Sequence, residues 1–258
     1  RLIDSRAVVD PKAELAEDVE VGPYAIIGPH VQIDSGTRID AHAVVRGPSR
    51  IGRDNRIFQF AVVGEEPQDK KFRGEDSVFE MGDRNIIREF ATLHRGTDDG
   101  GGITRIGNDN LIMAYCHIAH DCLVGNDVIF SNNASLAGHV TVGDHAILGG
   151  FSLVHQFCRI GDHCFTGFGS VISKDVPPYV RVSGHPAEPH GLNIEGLNRR
   201  GFTNEQINAL RKAYKLLYKS GLLFDEAKDE LKSFCKDAPV IQPFCDFVMA
   251  DAKRSIIR

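Results

Sequence analysis

A large apolar residue returns at every sixth position from Ile106 to Ile172: Ile106, Ile112, Ile118, Val124, Phe130, Leu136, Val142, Leu148, Val154, Ile160 and Ile172, with Thr166 the one break. Two positions before each rung stands a mostly small side chain, among them Cys116, Cys122, Ala134, Ala146, Ser152, Cys158, Cys164 and Ser170. A helix repeats every ~3.6 residues and a strand every ~2, so neither produces this spacing. A solenoid of hexapeptide repeats does, each short strand turning one large and one small side chain into a shared interior. The same ladder runs in phase from Ile3 through Val9, Leu15, Val21, Ile27, Ile33, Ile39, Val45, Ile51 and Ile57 to Val63. Three hexads to a turn give a coil of about 18 residues that rises by roughly 4.8 Å, one strand spacing. Gly or Asp often follows a rung (Asp4, Gly22, Gly28, Asp34, Gly52), where corners are expected to need unusual backbone angles.

Two excursions interrupt the ladder, at about 64–78 and 94–104. The first is charged, Glu65-Glu66-Pro67-Gln68-Asp69-Lys70-Lys71, and the second carries Asp98-Asp99-Gly100-Gly101-Gly102. Loops expelled from a uniform scaffold often carry function. The glycine triplet precedes neither a lysine nor a helix, so it is no phosphate loop. The ladder is expected to end near Pro177-Pro178, where backbone donors are missing. That gives a solenoid over 1–180, then a linker and a small helical domain over 181–258. Thr203 as N-cap with Gln206 three residues on forms a capping box. A helix follows, carrying Ile207, Leu210, Tyr214 and Leu217 and stopping at Gly221, with further helices expected over 225–234 and 244–252. Such a cap would also cover the open end of the solenoid.

No run of about 18 apolar residues is present, so no membrane span is expected. The first residues lack the apolar block of a secretory signal, so a cytoplasmic location is expected. The net charge of −5 gives no reason to expect a nucleic-acid partner. It divides unevenly: +3 from His190 onward and −8 before it. Basic side chains crowd the first cap helix (Arg211, Lys212, Lys215, Lys219), and Arg199-Arg200 precede it. These suit either a solvated face or a surface for an acidic partner. Four of the six cysteines fall at the small inward position, and Cys235 and Cys245 match no metal-ligand spacing; all six are expected as free thiols.

Steps of 18 from His120 reach Gly138 and then Gln156, whose neighbours are His139 and His155. These corners should therefore stack on the exterior in three successive coils, about 5 Å apart. Two chemistries fit such a column. A neutral imidazole can act as general base near neutral pH, with Asp121 fixing the His120 tautomer and the Gly138 N–H meeting a developing oxyanion. Alternatively, histidines from neighbouring subunits can bind zinc, as in solenoid carbonic anhydrases. Cys122 sits on the inward phase, which argues against a covalent intermediate.

Several stretches carry a resemblance: His94-Arg95-Gly96-Thr97, His117-Ile118-Ala119-His120-Asp121-Cys122, Leu136-Ala137-Gly138-His139-Val140, His155-Gln156-Phe157-Cys158 and Asn193-Ile194-Glu195-Gly196-Leu197-Asn198-Arg199-Arg200-Gly201-Phe202. Over essentially its whole length the chain resembles the UDP-N-acetylglucosamine O-acyltransferases of lipid A biosynthesis. The resemblance implies a mainly β fold, a left-handed parallel β-helix with a small C-terminal α-helical domain. It also implies a homotrimer with active sites between subunits. The reaction implied is transfer of a 3-hydroxyacyl group from acyl carrier protein to the glucosamine 3-hydroxyl, with no cofactor beyond the donor's phosphopantetheine and no metal. By position, His120 is the base, Asp121 its partner and Gly138 the oxyanion donor. Asp69, Lys71, His117, His139, His155, Gln156, Asn193, Glu195, Arg199 and Arg200 match positions lining the nucleotide-sugar and acyl-donor site. Lys71 would reach a neighbouring subunit, and the basic cap would meet the acidic carrier protein. Phe168, with Phe165 beside it, stands where long-chain members have Gly, so an acyl chain of around ten carbons is implied. A related amino-sugar nucleotide remains an alternative acceptor.

Overall fold

The computed structural model describes residues 2–258. Strands of mostly two residues follow one another around three faces, and the faces stack into sheets of 11, 9 and 8 strands, parallel except for the last pair of the 11-stranded one. Leu2 lies beside Glu20, Glu20 beside Arg38 and Arg38 beside Arg56, so one coil takes 18 residues, as the ladder predicts. The excursions lengthen two coils: Arg56 pairs with Ile86 and Ile86 with Leu111. The rungs from Val21 onward are buried, whereas Ile3 and Val9 at the open N-terminal end are only partly covered. Thr166 breaks the apolar series without leaving a polar atom unpaired. Its hydroxyl shares a 2.6 Å hydrogen bond with Ser152 Oγ and accepts the Gly149 N–H at 3.0 Å.

The corners differ from the expectation in one respect. Left-handed backbone falls three positions after the rung, on residues such as Tyr24 (φ 60°), His42 (φ 60°) and Phe60 (φ 63°), rather than on the Gly or Asp directly after it. Aromatic rings accept that conformation here because each stacks on the next coil. Tyr24, His42 and Phe60 lie 5.2 Å apart in turn, and the pile continues through Phe90 to Tyr115. Glycine directly after a rung answers to coil spacing instead: a Cβ on Gly52 would sit 2.8 Å from the Gly82 carbonyl.

The sheet also continues past the proline pair. Val180–Gly184 pairs in parallel with Phe165–Thr166 and then turns back antiparallel with Ala187–Leu192. Pro177 and Pro178 lie at a corner, where no ladder donor is required. Four helices follow: α1 (Ile194–Arg199), α2 (Asn204–Tyr218), α3 (Phe224–Cys235) and α4 (Gln242–Met249). Thr203 and Gln206 form the expected capping box, and α3 fits the expected range. The third expected helix begins two residues earlier, with a proline in its first turn, and ends three earlier. The hairpin and α1 occupy the stretch read from sequence as an irregular linker. None of the helices is long and apolar enough to cross a membrane.

All six cysteines are buried and free. Burial pushes the Cys116, Cys122 and Cys158 thiols up to about 12, so none is a nucleophile near neutral pH. Burial also lowers two histidines, His117 and His163, to about 4. The unfolded chain, with imidazoles near 6.5, then binds protons that the folded chain refuses. Stability is undiminished above that value and is lost as pH falls toward 4. The melting temperature is expected to drop between pH 7 and pH 5, and His163→Gln should lessen the drop. Melting curves unaffected by either change would contradict this.

Candidate active site

The three corners of the solenoid carry different chemistry. The corner between the 9- and 8-stranded sheets holds His120, because it follows His117–Ile118 and precedes Leu123–Val124. Asp121 there has φ 60°, a conformation Asp tolerates better than most side chains. This bend directs its carboxylate back under the imidazole. His120 Nδ1–H donates to Asp121 Oδ2 at 2.7 Å, which leaves Nε2 as the free lone pair. Thr97 completes the arrangement from the second excursion, its N–H donating to Oδ1 at 2.8 Å and its hydroxyl to Oδ2 at 2.6 Å. Burial of Asp121 favours the neutral acid, but the hydrogen bonds from His120 and Thr97 outweigh it and hold the carboxyl below its usual range. Asp121 is therefore an ionised carboxylate with its side chain fully covered.

Two glycines bracket this pair. A Cβ on Gly138 would come within 2.6 Å of His120 Cε1 and 2.8 Å of Nε2, and a Cβ on Gly100 within 2.0 Å of the Asp121 carboxyl carbon. The Gly138 N–H donates to no group among the described residues. The glycine itself packs against the Cε1–Nε2 edge of the ring.

The histidine column is met at two corners and altered at the third. His139 meets His120 edge-on at 5.1 Å, but its neighbour in the next coil is Phe157, stacked at 4.4 Å. His155 lies two residues before Phe157 and shares a 2.8 Å hydrogen bond with Arg254, which also donates to the Gln156 carbonyl at 3.0 Å. Burial lowers the His139 pKa, so its imidazole is neutral at pH 7. His117 is hydrogen-bonded to Thr92 at 2.7 Å and meets His94 edge-on at 5.2 Å. The first excursion lies over this corner: Lys71 pairs with Asp99 of the second excursion at 3.7 Å, and the field of Asp69 reaches His139.

The remaining candidates sit elsewhere on the chain. Asn193 caps α1 and donates to the His163 carbonyl at 3.0 Å, and Arg200 bonds Asp127 at 2.6 Å. Both contacts belong to the corner between the 8- and 11-stranded sheets. Glu195 and Arg199 pair with each other on the exposed face of α1. Phe168, 77% exposed, occupies the third corner with its ring edge-on to Phe151, and Phe165 is on the adjoining strand. One chain thus presents His120, the cap residues and Phe168 on three separate edges.

Thr97, Gly100 and His94 were not assigned roles from sequence. They belong to a coil lengthened by an excursion, so Thr97 lies 24 residues from Asp121 and steps of 18 pass it by. A metal is sterically conceivable, since ligand atoms of His120, Asp121 and His139 lie within 4.8 Å of one another. Yet the Asp121 oxygens already accept three hydrogen bonds, leaving two imidazoles, one fewer than the three protein ligands usual for catalytic zinc.

Residues 175–257 match the family described as Udp N-acetylglucosamine O-acyltransferase; Domain 2, and residues 103–138 match the bacterial transferase hexapeptide repeats. The acyl-[acyl-carrier-protein]--UDP-N-acetylglucosamine O-acyltransferase of Halorhodospira halophila is 56% identical over 99% of both chains. That of Herminiimonas arsenicoxydans is 53% identical over 100% of this chain and 99% of its own. The chain belongs to the UDP-N-acetylglucosamine O-acyltransferase family. The solved family structure from Moraxella catarrhalis superposes with a TM-score of 0.98 at 47% identity over 100% of both chains. The fold is accordingly the left-handed parallel β-helix with a C-terminal helical cap, and the chain is an acyltransferase.

Proposed function

We propose that this chain transfers a 3-hydroxyacyl group from acyl carrier protein to the 3-hydroxyl of UDP-N-acetylglucosamine, the first step of lipid A biosynthesis. The observation that carries the reading is the His120–Asp121–Thr97 chain with Gly138 beside Nε2, in a protein more than half identical to named O-acyltransferases. Asp121 holds the imidazole with Nε2 unprotonated. Nε2 takes the proton of the sugar hydroxyl as its oxygen bonds to the thioester carbon. The carbonyl oxygen gains the negative charge, and the Gly138 N–H is placed to stabilise it. Collapse breaks the carbon–sulfur bond, and the imidazolium returns its proton to the departing thiolate. No protein acyl ester forms, consistent with buried, protonated cysteines near the site.

A homotrimer explains why one chain spreads its site over three edges. Packing the His120 edge of one copy against the cap-bearing edge of its neighbour brings Asn193, Glu195, Arg199 and Arg200 toward the reacting atoms. Arg199, paired with Glu195 on the exposed face of α1, is placed to meet a substrate phosphate, while Arg200 holds the cap to Asp127. The basic cap is placed to receive an acidic carrier protein.

Phe168 fills volume at the acyl end and sets the length. Each methylene excluded or admitted is worth about 0.8 kcal/mol. Carrier proteins loaded with 3-hydroxyacyl chains of graded length should show an optimum around ten carbons, moving to longer chains in Phe168→Gly. Unchanged selectivity would remove Phe168 as the ruler, and no acylation of UDP-N-acetylglucosamine at any length would overturn the reading. Its 3-amino analogue tests the alternative acceptor.

A further inference from the structure

The His120 corner continues beyond Gln156. Leu153 and Val154 pair with Val171 and Ile172, so the next residue in the column is Lys174, three coils from His120. Beside it opens a cavity of about 380 Å³ lined by Arg159, Lys174, Lys228, Arg254 and Arg258, with Asp251 the one acidic side chain among its walls. Some of this charge is already used. Arg159 is paired with buried Asp175 at 2.7 Å, Lys228 lies 3.6 Å from Asp225, and Arg258 donates to the Leu222 carbonyl at 3.1 Å. Arg254 is committed in its geometry but not in its charge, since its contacts are His155 and the Gln156 carbonyl. Lys174 makes neither a hydrogen bond nor an ion pair among the described residues and is exposed.

We infer that this cavity is a binding site for a phosphoryl group of a substrate, with Lys174 as a direct ligand and Arg254 linking the site to the Gln156 corner. The inference rests on the acyltransferase reading. Concentrated positive charge beside one edge attracts a phosphate oxyanion, and lysine supplies it as a point charge. Three coil steps place Lys174 about 14 Å from His120. A phosphopantetheine arm has about thirteen bonds between its sulfur and its phosphorus, which spans about 15 Å at covalent bond lengths. With the thioester at His120, the donor's phosphodiester therefore reaches the cavity. The pyrophosphate of the sugar nucleotide begins only about five bonds from the 3-hydroxyl, roughly 6 Å by the same lengths, so it reaches Lys174 less well.

The test compares wild type, Lys174→Gln and Lys174→Arg with three donors: 3-hydroxyacyl carrier protein, 3-hydroxyacyl phosphopantetheine and 3-hydroxyacyl pantetheine, which lacks the phosphate. Lys174→Gln should raise KM for both phosphorylated donors about tenfold, as expected for a lost charge-assisted contact. It should leave kcat and the pantetheine donor unchanged, with Lys174→Arg restoring most of the loss. A rise confined to the KM for UDP-N-acetylglucosamine would also support a phosphoryl site and assign it to the acceptor. Unaltered KM for every substrate, or a rise equal for phosphorylated and unphosphorylated donors, would overturn the inference. Transfer by wild type in the same assay keeps this outcome separate from failure of the acyltransferase reading.

Discussion

His120→Ala is expected to lower kcat for acyl transfer by about 10²- to 10⁴-fold, the usual contribution of a positioned general base. KM for either substrate should change little, because the imidazole acts on the proton in flight rather than on substrate affinity. The residue is partly exposed and the rungs around it are untouched, so the melting temperature should stay close to wild type. Asp121→Asn is a sharper version of the same test. The amide keeps one accepting oxygen, so it can serve either the Thr97 N–H at the Oδ1 position or the His120 Nδ1–H and Thr97 hydroxyl at the Oδ2 position, but not both sides. With its NH2 toward His120 the favoured tautomer is lost. Steady-state kinetics and a thermal melt on each variant decide the matter. A variant that is folded but retains wild-type kcat would remove His120 from the chemistry.

Gly138→Ala is expected to cost about 10²-fold in kcat, the scale of an ångström-sized misplacement of a catalytic group. The added methyl would stand 2.6 Å from His120 Cε1, well inside contact distance, so the imidazole or the corner must move. Backbone conformation is not the obstacle, because Gly138 is not among the residues with positive φ. The alanine keeps its N–H, so the loss reports placement of the base and the oxyanion donor relative to each other. Wild-type kcat in Gly138→Ala would show that the two need not be in contact.

Much of the fold is legible in the sequence because a solenoid repeats one local rule. The period of six gives the rungs, the inward cysteines and the coil length, and steps of 18 place Gly138 beside His120. That counting works only where coils are uniform. It misses Thr97 and Gly100, which reach Asp121 from an excursion; His155 enters only as the neighbour of Gln156, whereas the step of 18 from His139 reaches Phe157. The first corner glycines look conformational in the sequence, yet they are required by the approach of the next coil, as at Gly52. The hairpin over 180–192 is invisible to the ladder because its pairing turns antiparallel. The distribution of candidates over three edges cannot be read from one chain's repeat at all, since it depends on how copies pack.

One assay tests the acyl transfer most directly: purified chain, UDP-N-acetylglucosamine and a 3-hydroxyacyl carrier protein, run with and without a chelator. The expected result is one acylated nucleotide sugar for each carrier thiol released, the new ester on the 3-oxygen, and the same rate with chelator present. Absence of acylated sugar, or activity that vanishes with chelator and returns with zinc, would contradict it.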